Sequence, residues 1–119
     1  MILGIGVDTA EIARFERSLR RTPALATRLF AEQERMLPVW SLAARFAAKE
    51  ALIKALGGDH ELGWHDMVIP ATAGARPSFE LTEALAAVRE RIGVTNIHLS
   101  LTHDGGMATA FVVVEGDPS

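Results

Sequence analysis

The chain has no cysteine among its 119 residues. This absence excludes disulfide bonds, thiolate catalysis and cysteine-ligated zinc, so any bound metal ion must be held by oxygen or imidazole ligands. The sequence also lacks an apolar run long enough to cross a bilayer. It contains no repeat, no low-complexity segment and no shift in composition that marks a linker. We therefore predict one globular domain, residues 1–119, that binds no membrane.

The amino terminus carries no sign of an export signal. Residues 1–8 lack a basic start and a cleavage site, and the acidic Asp8 follows at once. Together with the absence of cysteine, this predicts a cytoplasmic protein.

The net charge of −3 does not favour binding to nucleic acid, but basic residues are concentrated locally. Between Ile12 and Phe30 the only acidic residue is Glu16. Helical spacing places three arginines on one face of an amphipathic helix, opposite an apolar stripe. Such a face is either ordinary solvated surface or a docking surface for an acidic protein. The basic stripe consists of Arg14, Arg17 and Arg21, with Arg28 in the next segment, and the apolar stripe of Ile12, Phe15 and Leu19.

Helix-forming residues dominate positions 45–56, and the helix that they predict carries a cluster of charges. Glu50 and Lys54 are four residues apart and share a face, while Arg45 and Lys49 share the adjoining edge. A glutamate and a lysine at this spacing usually form a solvated surface pair. The alternative is that the carboxylate holds a metal ion while the ammonium groups contact phosphate.

Asp8 follows a predicted buried strand, and we expect it at a strand-to-helix junction. There it either caps the helix or serves as a ligand, because a helix N-terminus favours anions and metal-bridged phosphates. Two carboxylates completed by phosphate oxygens are a typical magnesium site. Asp8 and Glu50 are the candidates for such a pair.

His103 and Asp104 stand beside two glycines in a predicted hairpin turn. A histidine at a turn is usually a surface residue, but it can also bind phosphate or act as a base. Two pairs of histidines are five residues apart, not four as in a helical zinc motif, so the spacing disfavours a zinc site.

Apolar periodicity and turn residues predict mixed helices and strands. In the first half we expect a strand from Ile2 to Asp8, a helix from there to about Leu19, a short helix from Ala24 to Leu29, a loop from Phe30 to Glu34 and a long helix from about Leu42 to Leu56. In the second half we expect short strands at Met67–Ile69 and Phe79–Leu81 and a helix from Glu83 to Ile92 capped by Thr82. Two further strands, at Asn96–Thr102 and Ala108–Glu115, complete the expected order.

Several of these motifs, in this order and at this spacing, resemble those of the holo-[acyl-carrier-protein] synthases, the small stand-alone type of 4′-phosphopantetheinyl transferase. The resemblance covers nearly the whole chain. Its most specific part is the Phe-Ala-Ala-Lys-Glu-Ala run with a lysine four residues after the glutamate. The matching segments are Gly6-Val7-Asp8 with Glu11-Ile12-Ala13-Arg14, the run from Arg45 to Ala51 with Lys54-Ala55, Trp64-His65-Asp66, and Leu101-Thr102-His103.

The resemblance implies a magnesium-dependent transfer of 4′-phosphopantetheine from coenzyme A to a serine of apo acyl carrier protein, with release of 3′,5′-ADP. It implies that the arginine stripe faces the acidic carrier. Water, Glu50, His103 and Asp104 are the candidates for accepting the serine proton. The resemblance implies that Asp8 and Glu50 are magnesium ligands and that the catalytic residues are Glu50, Lys54, His103 and Asp104. The residues implied in coenzyme A binding are Arg45, Phe46, Lys49, Lys54, Arg76, Pro77, Thr102 and His103. Those implied in carrier binding are Arg14, Arg17, Arg21 and Arg28.

The resemblance further implies an α+β fold in which a small antiparallel sheet packs against a long central helix and shorter helices. It implies a homotrimer with each active site at a subunit boundary. Asp8 and Glu50 then come from one subunit, while Arg45, Arg76, Pro77 and His103 reach across from its neighbour. The usual Gly-Lys-Pro of the family stands here as Ala75-Arg76-Pro77.

Two other functions are compatible with the same residues. The carboxylates could serve a magnesium-dependent phosphoester or nucleotide hydrolase, in which water is the nucleophile and no carrier protein takes part. The arginine stripe could instead belong to a non-catalytic module that binds an acidic protein, and such a module would tolerate the loss of Asp8 and Glu50.

Overall fold

The computed structural model describes residues 1–72 and 74–117. In these ranges it has three strands, five α-helices and one short 3-10 helix. The elements are β1 (Ile2–Glu11), α1 (Ile12–Arg21), α2 (Ala24–Leu29), α3 (Glu32–Arg35), α4 (Val39–Leu56), the 3-10 helix (Trp64–Asp66), α5 (Glu83–Ile92), β2 (Val94–Asp104) and β3 (Met107–Gly116).

The strands form one antiparallel sheet in the order β1-β3-β2, so β3 lies in the middle. In its register Asp8 of β1 is opposite Ala110 of β3, which is opposite Leu101 of β2. The turn between β2 and β3 consists of Gly105 and Gly106, whose φ angles are 56° and 78°. Positive φ at both positions is the geometry that a two-residue hairpin requires, which confirms a hairpin here. His103 and Asp104, which were predicted in the turn, instead belong to β2, because they pair with Ala108 and Met107 of β3.

Helix α4 packs across one face of this sheet, and two glycines of β1 let it approach closely. A Cβ atom at Gly4 would lie 1.9 Å from the carbonyl oxygen of Ala55, and one at Gly6 would lie 1.9 Å from that of Ala51. Strand β1 therefore advances along α4 in the opposite direction to the helix, about one helical turn for every two strand residues. The next residue of β1 on this face is Asp8, whose Oδ1 lies 3.0 Å from the ammonium of Lys54 in α4.

The predicted long helix is present and begins three residues earlier than expected, at Val39 instead of Leu42. Pro38 immediately before it has no N–H to donate, so its position at the helix start costs no hydrogen bond. Helix α5 and its Thr82 cap match the prediction, because the Thr82 hydroxyl accepts a hydrogen bond from the N–H of Leu85 at 3.2 Å. The α+β class with a small antiparallel sheet is confirmed.

Three local predictions were wrong. Strand β1 continues through Asp8 to Glu11, because its pairing with β3 persists to Met107, and the first helix starts only at Ile12. The segments 67–69 and 79–81 are not strands: a single backbone hydrogen bond, from the N–H of Glu80 to the carbonyl of Val68 at 2.7 Å, joins them. Part of the predicted loop at 30–34 is helical, as α3.

None of the helices within residues 1–72 and 74–117 combines the length and the apolar character that crossing a bilayer demands.

Candidate active site

Asp8 is partly buried on the face of β1 that meets α4, and its partner there is Lys54. The ammonium of Lys54 donates hydrogen bonds to Oδ1 of Asp8 and to the carbonyl oxygen of Val7, both at 3.0 Å. The predicted cap role of Asp8 is wrong, since Asp8 lies within a strand and not at a helix N-terminus. The structure thus joins two of the predicted site residues, which are far apart in sequence.

Glu50 precedes Lys54 by one turn of α4 and is partly buried. Among the described residues, its carboxylate has no hydrogen bond and no ion pair. Two hard oxygen ligands, one held by a lysine and one without a protein partner, fit a magnesium ion that substrate phosphates and water complete. No group of three or more His, Cys, Asp or Glu that could hold a metal ion occurs in the described ranges, so an all-protein cage is not the arrangement present there.

Lys49 cannot contact phosphate in this fold, which corrects the role implied by the resemblance. Its side chain is fully buried, and its ammonium donates to the carbonyl oxygens of Leu29 at 2.7 Å and Trp64 at 3.2 Å and to Oε1 of Glu34 at 2.8 Å. These three acceptors use all three N–H donors of the ammonium. The ring of Phe30 lies 5.0 Å from the nitrogen. Burial lowers the pKa of Lys49, and the bond to Glu34 opposes that shift.

Glu34 is the residue that sequence reasoning missed. It is fully buried; Oε1 accepts the N–H of Ala31 at 3.0 Å as well as Lys49, and Oε2 accepts the N–H of Ile69 at 3.2 Å. Arg45 lies 4.0 Å from Oε2. A polar segment such as 31–35 is typical of surface, and the sequence offers no capping box there because Ala31 has no side-chain acceptor. Only the bond from the N–H of Ala31 to Glu34, three residues later, reproduces half of that motif in the structure.

Arg45 is buried and largely held by main-chain oxygens. It donates to the carbonyl of Ile69 at 2.9 Å, to the hydroxyl of Ser41 at 2.5 Å and to the carbonyl of Pro70 at 3.4 Å. Burial lowers the pKa of Arg45, and Glu34 raises it in opposition. Arg45 nevertheless lines a cavity of about 450 Å³, here called the second cavity. The predicted Arg76 and Pro77 line it too, together with Trp40.

The predicted residues of the last hairpin are not near Asp8 within one chain. His103 is exposed at the end of β2, and its ring stacks on Trp40 with 4.6 Å between centroids. Since β3 separates β1 from β2, the two outer strands are about 10 Å apart. Thr102 faces the opposite side of the sheet from His103, and Asp104 is exposed at the strand end. The predicted site is thus divided between two edges of the sheet.

A groove of about 650 Å³ begins immediately beyond Asp8, at Thr9, and runs between α1, α2 and α4. Aromatic rings form its floor: Phe46 stacks on Phe15 at 5.4 Å and lies 5.7 Å from Trp64. We call it the aromatic groove. The predicted coenzyme A residue Phe46 is therefore shared between the groove and the core, where Phe15 also contacts Phe30 at 6.1 Å.

Arginines stand at the rim of the aromatic groove. Arg14 and Arg28 line it, both exposed. Neither they nor Arg21 forms an ion pair within the described ranges. Arg17, in contrast, lies 3.9 Å from Glu11, and Arg20 pairs with Glu16 at 3.1 Å. Of the predicted stripe, Arg14, Arg21 and Arg28 carry charges that the fold leaves uncompensated.

The sheet face turned away from α4 exposes apolar side chains. Ile5 is 60% exposed, Val7 53% and Phe111 44%. Val7 is directly opposite Phe111 in the β1–β3 register. Contiguous exposed apolar side chains of this size are typical of surfaces that another protein covers.

Comparisons with known proteins agree on one family. Residues 4–112 match the model of the 4′-phosphopantetheinyl transferase superfamily. The chain is 60% identical over 117 residues to a holo-[acyl-carrier-protein] synthase of Clavibacter sepedonicus, with 98% of each chain covered. It is 57% identical over 117 residues to the synthase of Leifsonia xyli subsp. xyli, with 98% of this chain and 99% of the relative covered.

Solved structures give the same result. The holo-[acyl-carrier-protein] synthase of Neisseria meningitidis is similar with a TM-score of 0.87 and 33% identity, over 97% of this chain and 99% of that one. The Helicobacter pylori synthase, in complex with coenzyme A, is similar with a TM-score of 0.81 and 30% identity, over 93% of this chain and 99% of that one.

Proposed function

The chain belongs to the 4′-phosphopantetheinyl transferase superfamily, among the holo-[acyl-carrier-protein] synthases, and we propose that it transfers 4′-phosphopantetheine from coenzyme A to a serine of an acyl carrier protein. The products are the holo carrier and 3′,5′-ADP, and the cofactor is Mg²⁺. The observation that carries this proposal is the contact of Asp8 with Lys54, which joins a strand and a helix remote in sequence, with Glu50 one helical turn from Lys54 and a groove rimmed by arginines beginning at Thr9.

The chemistry of this cluster suits phosphoryl transfer. Such a reaction needs alignment and electrostatic stabilisation more than covalent help, because negative charge is spread over the phosphoryl oxygens in the transition state. Asp8 and Glu50 would hold the metal ion, which when bound supplies positive charge to the diphosphate. Lys54 is more than half exposed and attached by a flexible stem, so its ammonium can leave Asp8 and contact a phosphoryl oxygen.

Glu50 also has a second role in this proposal. The carrier serine must lose a proton as it attacks the β-phosphate, and a base must receive it. The Glu50 carboxylate accepts no hydrogen bond from the described residues, so it is available to take this proton through a water molecule. His103 and Asp104 lie at the opposite edge of the sheet and are not candidates within the same subunit.

We propose that a neighbouring copy completes the site in a homotrimer. Asp8 and its partner Lys54 lie at the β1 edge of the sheet, and Glu50 is one helical turn from Lys54, whereas the second cavity with Arg45, Arg76 and Pro77 lies near the other edge, by β2. A substrate as long as coenzyme A can use both sets if the β1 edge of one subunit faces the β2 edge of the next. The exposed apolar side chains on the outer sheet face support an assembly that covers them.

The carrier protein docks, in this proposal, along α1 and α2. Uncompensated charges of Arg14, Arg21 and Arg28 attract an acidic partner and accelerate encounter. The aromatic floor of the groove, with Phe15 and Phe46, can accept an apolar side chain of that partner. The same groove starts beside Asp8, so docking there brings the carrier serine to the carboxylates.

A single assay tests the proposal against both alternatives. The protein is incubated with an apo acyl carrier protein, coenzyme A and Mg²⁺, and intact masses are recorded together with the nucleotide products. Phosphopantetheinyl transfer adds one phosphopantetheine to the carrier and forms 3′,5′-ADP in equal amount. An unmodified carrier with consumed coenzyme A indicates a hydrolase. An unmodified carrier that co-elutes with the protein, with coenzyme A intact, indicates a binding module.

A further inference from the structure

The buried pair formed by Glu34 and Lys49 takes no part in the chemistry proposed above. Both side chains are fully buried, and Oε1 of Glu34 lies 2.8 Å from the ammonium of Lys49. Taking two charges out of water is costly, and apolar side chains of the same volume often serve stability as well or better. The stability of the fold therefore does not explain why charges occupy this position, but their contacts with the main chain do.

The ammonium of Lys49 holds the main chain under the aromatic groove. It donates to the carbonyl oxygen of Leu29, at the end of α2, at 2.7 Å and to that of Trp64, at the start of the 3-10 helix, at 3.2 Å. Both of these residues line the groove, as does Phe46, which precedes Lys49 by one turn of α4. One buried cation thus ties together the three elements that form this side of the groove.

Helix α2 depends on this bond for its position. It has only six residues, and a helix of that length is not stable by its own propensity. The carbonyl of Leu29 is one of the last four of the helix, which lack a partner within it, so the bond from Lys49 also satisfies a helix end. Apolar packing has no preferred direction, whereas hydrogen bonds restrict both distance and angle. A buried donor therefore orients α2 more narrowly than apolar contacts alone.

The carboxylate of Glu34 reaches a second segment of main chain with its other oxygen. Oε2 accepts the N–H of Ile69 at 3.2 Å, while Oε1 accepts Lys49. The next residue, Pro70, lines the second cavity. Arg45, which lines the same cavity, donates to the carbonyls of Ile69 and Pro70 and lies 4.0 Å from Oε2. The two oxygens of one carboxylate therefore support the walls of two different cavities.

We propose that Glu34 is a positioning residue for both binding sites, acting through Lys49 on the aromatic groove and through Ile69 on the second cavity. It touches neither substrate. The inference rests on the proposed function, in which the carrier enters the groove and coenzyme A uses the second cavity. A buried polar network whose members are all satisfied specifies one arrangement of the elements around it. Because the two effects pass through different oxygens, experiments can separate them.

The test compares Glu34→Gln and Glu34→Asp with Val88→Ala. Gln keeps the shape of the side chain and removes its charge, whereas Asp keeps the charge and withdraws the carboxylate by one methylene from Lys49 and Ile69. Val88 is buried in the core under α5, and its truncation lowers stability by opening a cavity without altering the buried pair. Steady-state kinetics give the KM values for the carrier and for coenzyme A, under conditions in which urea unfolding shows each variant to be folded.

Both KM values should rise in the Glu34 variants, by about tenfold in Glu34→Gln and by less in Glu34→Asp. Val88→Ala should leave both KM values unchanged, because a smaller folded fraction lowers the apparent kcat and not the KM. Glu34 variants whose KM values equal those of the wild type and of Val88→Ala would overturn the proposal and leave Glu34 with a role in stability only.

A double-mutant cycle with Lys49→Met separates the two routes. Lys49→Met alone should raise the KM for the carrier and leave that for coenzyme A nearly unchanged. Adding Glu34→Gln should then change the carrier KM little further, because that route is already lost, while the KM for coenzyme A rises as in the single variant. Additive changes in the carrier KM overturn the route through Lys49. If Lys49→Met does not fold, the comparison of Glu34→Asp with Val88→Ala decides the question.

The two proposals fail in different ways. If the wild type modifies the carrier and the Glu34 variants keep wild-type KM values, the positioning role is wrong and the transferase stands. If the wild type leaves the carrier unmodified in the mass assay, the transferase is wrong and the positioning role falls with it.

Discussion

The ammonium of Lys54 lies 3.0 Å from Oδ1 of Asp8, at the position that a cation bound to this carboxylate has to share or take over. The same ammonium is anchored by the carbonyl of Val7. Because the Lys54 side chain is 54% exposed, the pair itself contributes little to stability, in the range of 0–1 kcal/mol that is usual for such pairs. In the proposed function its significance is electrostatic, because Lys54 neutralises Asp8 in the absence of the metal ion and the diphosphate that the site would bind.

Replacing Lys54 by Met should separate metal binding from turnover. Without the competing ammonium, Asp8 and Glu50 should bind Mg²⁺ alone more tightly, whereas kcat should fall about 100-fold because a cation at the transferring phosphoryl group is lost. Calorimetric titration with Mg²⁺ and steady-state kinetics measure the two effects. Lys54→Arg, which keeps the charge, should retain more activity. Weaker Mg²⁺ binding by Lys54→Met would show that the lysine supports the metal site instead of competing with it.

Lys49 lies five residues earlier on the same helix, and its replacement by Met should lower stability, whereas Lys54→Met should mainly lower turnover. Lys49→Met leaves the fully buried Glu34 without its ammonium partner, which for buried pairs costs about 3–5 kcal/mol of the free energy of unfolding. Urea denaturation at fixed protein concentration measures this, with Lys54→Met as the matched control that loses about 1 kcal/mol or less. In Lys49→Met combined with Glu34→Gln, part of the loss should be recovered. Equal stability of the two lysine variants would contradict a structural role for Lys49.

The stability contributed by Lys49 should depend on pH. Burial lowers its pKa in the folded chain below the ordinary value of 10.5. Between the lowered pKa and 10.5 the unfolded chain binds more protons than the folded one, so the free energy of unfolding rises with pH in that interval. The difference in unfolding free energy between wild type and Lys49→Met should therefore grow as pH approaches 10.5. If this difference in unfolding free energy shrinks as pH approaches 10.5, the effect of Glu34 on the pKa of Lys49 is larger than the opposing effect of burial.

The contrast between these two lysines shows how far the sequence can be interpreted. Helix-forming residues and Gly57 define α4 to within three residues at its start, and helical spacing correctly separates Lys49 from Lys54 onto different faces. Which face is covered depends on α2, α3 and the 3-10 helix, whose carbonyls and carboxylate receive Lys49. Those contacts span 15–20 residues of sequence, and no local pattern encodes them.

Strand β1 is a second case in which a distant partner decides the local structure. Residues 8–11, Asp-Thr-Ala-Glu, are compatible with a helix start, and only the ladder with β3, about 100 residues away, keeps them extended to Glu11. The approach of Asp8 to α4 follows instead from two small residues, Gly4 and Gly6, which are visible in the sequence although the helix that they contact is not. Elements stabilised by their own propensity were predictable, and elements stabilised by distant partners were not.

Charge reversal on α1 should weaken the binding of the carrier protein without affecting the binding of coenzyme A. Arg14→Glu with Arg21→Glu replaces two uncompensated charges at the docking surface, and we expect the KM for the carrier to rise at least tenfold, with the KM for coenzyme A nearly unchanged. Arg20→Glu is the matched control, since Arg20 is on the same helix but outside the proposed stripe and already paired with Glu16. Steady-state kinetics at two ionic strengths measure the effect. Equal carrier KM values for the double variant and the control would leave the arginines as solvated surface.

Two inactive variants should restore each other if the site is shared between copies. Glu50→Gln removes a proposed metal ligand at the β1 edge, and its fold should survive because the carboxylate has no partner among the described residues. Arg76→Ala removes a cation from the second cavity near the β2 edge. Each variant alone should show less than about 1% of wild-type turnover at subsaturating coenzyme A, the scale expected when a ligand or positioning cation of a phosphoryl-transfer site is lost.

When the two variants are mixed and allowed to exchange subunits, some boundaries combine an intact Glu50 from one copy with an intact Arg76 from the next. These boundaries are complete, so activity should reappear only after exchange. Sedimentation confirms the assembly, and Phe111→Glu, which places a charge on the apolar outer face, should abolish both assembly and recovery. A mixture that assembles and exchanges but stays inactive would place Glu50 and Arg76 in the site of a single chain. Their separation across the sheet would then require coenzyme A to span the molecule instead of the boundary between copies.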